Sequence, residues 1–413
     1  MQLTKSKRIL HDGILYCAIL IAVYLSGSYR INLLSTEKLS LALTAVLLLL
    51  SFLISFRQLS KRTIIFGGIL CLYFAICILN YSATWLRLAL RFIIFFVMIL
   101  FSLEIKKSEN GKDVFFYLYN LILVLCAAGL VLYFFTALWD IGLPNQEYAH
   151  QTRSGPIPAY NYFEFLFLVS PQSILGIDAY RFQLFFWEPG VLGVYLNYAL
   201  FYLIFRKGGK NVWELLILLL SLILTFSTTG ICIGCMLFAV YIVNKTDILK
   251  KKPYLSASVF LIAFAVALAV FLEKKNSPGV SYTWRKTDLL IGFRLMLDKP
   301  LLGYGYINTA PFEATQEILY GSARGNTNGI ATWAFTMGLV GLALLFLPFI
   351  YRTVKSKSLA EVLTNLIWFG MFILTNMTEP LLTTPLMLMV LANEYTETLF
   401  PQAVPPGPDP LAI

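Results

Sequence analysis

Apolar runs about as long as a bilayer is thick recur along the whole chain, and they leave it few folds to choose from. A hydrocarbon core of roughly 30 Å is crossed by about 20 apolar residues in a helix. Runs of this kind lie near 13–29, 38–56, 64–80, 88–104, 114–138, 183–205, 212–227, 230–244, 254–272, 329–350, 362–378 and 381–398. Lipid offers the backbone no hydrogen-bond partners, so each run must satisfy its own, as a helix does. The expected fold is an all-α polytopic membrane protein with about 12 transmembrane helices, forming one domain over residues 1–400. Composition agrees: 58% of residues are hydrophobic and 13% charged, against about 25% charged in soluble domains. The first run follows Lys5, Lys7 and Arg8 but leads into further spans without a small-residue cleavage site, so it reads as a first membrane helix rather than a signal peptide.

The net charge of +10 does not point to nucleic acid, because the basic residues cluster in short segments between apolar runs. With the N-terminus cytoplasmic, 19 of the 32 Lys and Arg residues fall in inside segments, such as Arg57, Lys61 and Arg62 or Arg352, Lys355 and Lys357. Nine of the others lie in two long loops, which weigh little in setting orientation. Both termini are therefore expected inside. The six cysteines all lie within apolar runs and read as small hydrophobes, Cys232 and Cys235 of the C-x-x-C included.

The two long loops, about 139–182 and 273–328, face outward in this scheme and are expected to carry short or re-entrant helices. Phe163–Val169 is too short to span and suits the interface. The proline-rich residues 401–413 read as a disordered tail, with a non-native extension as the alternative.

Chemistry must come from few residues. No nucleotide-binding loop is present, and His11 and His150 stand apart from any Asp or Glu cluster of metal-ligand spacing, so neither cofactor nor metal is invoked. Arginine remains. Arg181, Arg285, Arg294 and Arg324 lie on the outer side near span ends, where a guanidinium fork suits phosphate oxygens. The plainer alternative is that they snorkel, or pair with Glu188, Asp288, Asp298, Glu313 and Glu317. Glu188 sits six residues into an apolar run before a helix-breaking Pro189-Gly190, and is a candidate general base, the partner of Arg181 or a helix-terminus contact. Glu379, in Thr378-Glu379-Pro380, carries the same ambiguity. Thr225–Gly230 is a tight polar turn whose side chains, Thr228 among them, either reach a head group or satisfy local backbone. His150 is a possible acid or base near neutral pH.

Several segments together resemble the O-antigen polymerase and ligase family. Arg181-Phe182 through Trp187-Glu188-Pro189-Gly190 is similar to the family's arginine followed by an acidic residue and proline at a span entrance. Thr225–Gly230 resembles its polar turn, with Thr-Thr where many members have Ser-Arg. Arg285-Lys286 leading to Pro300-Leu301-Leu302-Gly303-Tyr304-Gly305 resembles the family's arginine, amphipathic helix and P-L-L-G-x-G. Asn326-Thr327-Asn328 before Gly338-Leu339-Val340-Gly341 resembles its His-Asn motif ahead of G-L-x-G, with threonine where histidine is usual.

The resemblance implies a GT-C-like glycosyltransferase in the bacterial inner membrane. Such an enzyme couples undecaprenyl-pyrophosphate-linked oligosaccharides, donor to acceptor, and a chain-length regulator protein is a further implied partner. It also implies that Arg181 and Arg285 hold the pyrophosphate, Glu188 orients or acts as base, and Arg294, Arg324, Asn328, Tyr304, Tyr306, Thr228 and His150 line the substrate site. Loss of the motif's histidine favours a polymerase over a ligase. A transporter is the rival from another class, and it should carry charge at span centres, which spans 1–3, 5 and 7–12 lack.

Overall fold

The computed structural model describes residues 5–399, apart from 33–36, 56–112, 247–251, 277–280 and scattered loop positions that include Ile307 and Arg324. Thirteen helices appear among the described residues. They are α1 Lys5–Gly27, α2 Tyr29–Asn32, α3 Glu37–Ser55, α4 Val114–Tyr133, α5 Pro189–Phe201, α6 Val212–Leu224 and α7 Thr228–Lys245. Then follow α8 Pro253–Asn276, α9 Ser281–Asp298, α10 Ala310–Tyr320, α11 Gly329–Val354, α12 Leu359–Thr378 and α13 Pro385–Leu399. The apolar runs overlap these helices except those near 64–80 and 88–104, which, like residues 401–413, lie outside the described residues. Among the described residues four helices are long and apolar enough to cross a membrane: Val114–Ala137, Thr228–Lys245, Gly329–Val354 and Leu359–Thr378. Asp12–Gly27, Val212–Leu224 and Tyr254–Ala269 are shorter apolar helices. In α8, Leu261, Ile262 and Phe264 are all exposed; a helix apolar all round calls for lipid or protein rather than water.

The loop 139–182 departs from expectation. It forms strands, not short helices: β1 Gln146–Thr152, β2 Gly155–Tyr162 and β3 Leu166–Val169 make an antiparallel sheet, and β4 Gln172–Ile174 pairs with β5 Ile177–Ala179. Prolines explain both the absence of helix and the limits of the sheet. β3 pairs only with Ala159–Tyr162, so Pro156 and Pro158 sit where β2 has one neighbour and needs no second set of donors. Phe163 and Glu164 turn the β2–β3 hairpin with φ of 58° and 57°, the left-handed pair that a tight hairpin favours. Asn161 holds that turn, accepting from Glu164 N at 2.9 Å and donating to Glu164 Oε1 at 2.8 Å.

The chain groups into two compact units: Met1–Ser26, Glu37–Val114 and Pro278–Pro405 form the first, and Gly27–Thr36, Phe115–Ser277 and Pro406–Ile413 the second. In the second, α5 packs on α6 and α7, and α8 packs on α7. Small residues set the spacing: a Cβ at Gly193 would lie 3.4 Å from Ser227 Cβ, and Asn197 Nδ2 ties the two helices by donating to Gly193 O and Gly230 O at 2.9 and 3.1 Å.

In the first unit, α11 is the spine, contacting α9, α12 and α13. It is broken at Gly338, with φ 66° and ψ −165°, a conformation open essentially to glycine alone. The segment 300–305 repairs the break. Tyr304 N and Gly305 N donate to Phe335 O and Thr336 O at 2.8 and 3.0 Å, and Leu339 N and Val340 N donate to Pro300 O and Leu301 O at 2.7 and 3.3 Å. The P-L-L-G-Y-G and G-L-V-G segments are thus two halves of one clasp, which satisfies backbone groups that a broken helix leaves open.

Candidate functional site

Residues 180–188 precede α5 as non-helical chain, buried over 182–186, with Phe182, Leu184 and Phe186 fully enclosed. The span expected from 183 therefore starts at Pro189. Proline does not break a helix here; it begins one at the first position, where its missing N–H costs nothing. Glu188 is the residue before it, exposed, with extended φ and ψ of −143° and 146°. Leu184 takes φ of 51°, and its side chain enters the space that Gly129 leaves open on α4.

This segment reaches the polar turn that closes α6. Phe182 N donates to Leu224 O and Arg181 Nε to Thr225 O, both at 2.8 Å. Cationic donors suit the carbonyl end of a helix, so half-buried Arg181 braces the α6–α7 connection through Nε. The turn's own side chains face inward. Thr225 Oγ1 donates to Leu222 O and accepts from Ser227 N, while Ser227 caps α7 by accepting from Gly230 N at 3.3 Å. Of the two roles open to this turn, satisfying local backbone is the one these bonds fill. Thr228 begins α7 and is half-buried.

In the first unit Arg285 lies on the first half of α9, and its Nη2 is 3.7 Å from Glu379 Oε1 at the end of α12. Glu379 is buried and the Arg285 side chain partly exposed. A hydrogen bond between them would be nearer 3 Å, so the pair is a loose one. Three residues on and on the same face, Asp288 is fully buried. Its carboxylate accepts from Thr327 N at 3.0 Å, Thr327 Oγ1 at 2.6 Å and Gln316 Nε2 at 3.2 Å. Gln316 also donates to Gly325 O, so α9 and α10 together hold the 325–328 turn. Asn328 then caps α11, its Oδ1 accepting from Ala331 N at 2.9 Å. Gly329 presses on the end of α12: a Cβ there would meet Asn376 O at 2.8 Å and Glu379 O at 3.0 Å. Arg285, Asp288, Asn326–Gly329 and Glu379 therefore form one polar cluster.

The remaining expected residues scatter. Arg294 is exposed, since nine residues beyond Arg285 at about 100° each turns it about 180° round the helix. Tyr306 is fully buried, and Tyr304 packs beside Ile291, Leu295, Phe312 and Phe335 with Lys299 Nζ 4.7 Å from its ring centre. Packing occupies both rings, so the structure does not show them as sugar platforms. Arg324 lies outside the described residues, and His150 is on β1 opposite Ile157. Arg181 and Arg285 belong to different units. Sequence reasoning weighed Asp288 only as an arginine partner and passed over Gln316 and Asn326. The missed signal was a carboxylate in register with buried Ile291 and Leu295 on α9. No group of three or more His, Cys, Asp or Glu among the described residues is placed to hold a metal.

Several long apolar helices fit a multi-pass membrane protein, and a polar cluster that includes Arg285 and Glu379 lies at helix ends. Residues 214–346 match the family model described as O-antigen ligase, a match that supports the O-antigen polymerase and ligase family. The matched stretch contains the α6–α7 turn, Arg285, the 325–328 turn and the clasp. No curated protein and no solved structure matches the chain.

Proposed function

We propose that this chain is a polymerase of lipid-pyrophosphate-linked oligosaccharide repeats at the outer face of the bacterial inner membrane. The acceptor is the terminal sugar of a second lipid-linked chain. Its hydroxyl attacks C1 of the donor sugar, and the C1–O bond to pyrophosphate breaks with its electron pair on the leaving oxygen. The hydroxyl proton passes to a base. Arg285 holds the pyrophosphate and stabilises the charge that develops there. The observation that carries this reading is the Arg285 cluster: a guanidinium only loosely engaged by Glu379 at 3.7 Å, beside the capped start of α11. Such a group can exchange a carboxylate for a phosphate. Arg181 is a separate candidate for an anion ligand, its Nε held on Thr225 O. Glu188, exposed at the head of α5, is the candidate base.

Thr327 favours a polymerase, because a ligase of this family would carry histidine there and Thr327 instead gives both its donors to Asp288. The second reading is a ligase, favoured by the description of the matched family model. Purified protein given a lipid-linked repeat alone separates them: a ladder of longer lipid-linked chains supports the polymerase, and extension seen only with a lipid A core acceptor supports the ligase.

A further inference from the structure

Two side-chain donors of the first-unit cluster, Arg285 Nε and Asn326 Nδ2, are shielded from solvent and have no acceptor among the described residues. Burying a donor without an acceptor is costly, so such atoms are rarely left idle. The identity of the Asn326 atom is fixed by its neighbour. Asn328 N donates to Asn326 Oδ1 at 2.8 Å, so the oxygen must face that N–H and the amide nitrogen must face away. Asn328 has no such freedom, since its own oxygen caps Ala331 N. The two open donors flank one support. Thr327, next to Asn326, is held by Asp288, which lies three residues after Arg285 on α9.

We propose that Asn326 and Arg285 together grip a phosphate oxygen, so that this cluster takes the diphosphate of the lipid-linked donor and not a sugar of the acceptor. The proposal rests on the reading of Arg285 as a pyrophosphate ligand and adds a second residue and a chemical preference. Phosphate oxygens only accept hydrogen bonds, and the two open groups only donate. A sugar hydroxyl brings a donor of its own, for which this pair offers no acceptor.

The test uses the full-length protein in detergent, inorganic pyrophosphate as the probe and maltose as a neutral sugar control, read by calorimetry. Asn326→Asp keeps the oxygen that holds Asn328 N, removes the amide donor and adds a negative charge. Asn326→Ser is neutral and keeps a shorter acceptor for the turn. Each should weaken pyrophosphate binding about ten-fold or more, the usual effect of losing a hydrogen bond to a charged group, while both melt near wild type. Maltose should bind no differently in any variant. Wild-type pyrophosphate affinity in both Asn326 variants, with loss in Arg285→Ala, overturns the role of Asn326 and leaves the arginine reading standing. Wild-type affinity in all three overturns both. Maltose affinity that falls with Asn326 overturns the preference for phosphate.

Discussion

Gly338→Ala tests whether the clasp across α11 is a structural requirement, and its cost can be worked out atom by atom. With φ 66° and ψ −165°, position 338 occupies a region that costs a residue with a Cβ about 1–3 kcal/mol. The new Cβ would also lie 2.5 Å from Leu301 O, 2.6 Å from Leu301 C and 2.8 Å from Gly303 N. These are backbone atoms that cannot swing aside. Moving them breaks the bonds from Leu339 N and Val340 N to Pro300 O and Leu301 O, at about 1 kcal/mol each. The total is about 3–5 kcal/mol, or a fall of roughly 4–6 °C in melting temperature for a chain of this size. Two further glycines separate the contributions. Gly321 ends α10 with φ 73° and open space around it, so alanine there bears only backbone strain, about 1 kcal/mol. Gly370 lies in α12 with nothing within 4 Å, so alanine should stabilise by about 0.5–1 kcal/mol. Thermal melts of the purified variants should rank 338 far below 321 and 370 above wild type. A Gly338→Ala protein that melts within a degree of wild type would refute the clasp.

Arg181→Lys should fail to restore activity and should also lower the melting temperature, because lysine cannot reproduce the Nε bond to Thr225 O while offering a fork; a lysine variant as active and as stable as wild type counts against that double role. Asp288→Asn should destabilise by about 1–3 kcal/mol, since an amide nitrogen then faces donors from Thr327 or Gln316. Thr327→Val should cost less in that background than in wild type, a coupling that a double-mutant cycle of melts reads directly. If Glu188 is the base, Glu188→Gln should slow transfer at least 100-fold with unchanged melting, whereas a near-normal rate removes it from that role.

The long apolar helices are legible from apolar length, because lipid imposes one solution on such runs. Boundaries next to proline are not. Pro189 reads as a breaker in isolation and proves to be a first residue, since the buried chain ahead of it is anchored by Thr225 and Leu224 from another helix. Loop 139–182 was misread for a related reason. Strand pairing there depends on register between β1, β2 and β3, a non-local property that prolines obscure. The cluster was half legible. Arg285 stood out by its charge near a span end, while Asp288 looked like its partner and instead supports Thr327 from 39 positions away. Asn328 and Asn326 are chemically identical in sequence, and only the cap on Ala331 N shows which amide is engaged.

Extension of a lipid-linked repeat by the purified protein, compared between wild type and Arg285→Ala, tests the central claim most directly. The account predicts a ladder of lengthening lipid-linked chains from wild type and none from the variant, with both proteins melting alike. A full ladder from Arg285→Ala, or a wild-type protein that leaves the repeat unextended and transfers it to a lipid A core acceptor, would contradict it.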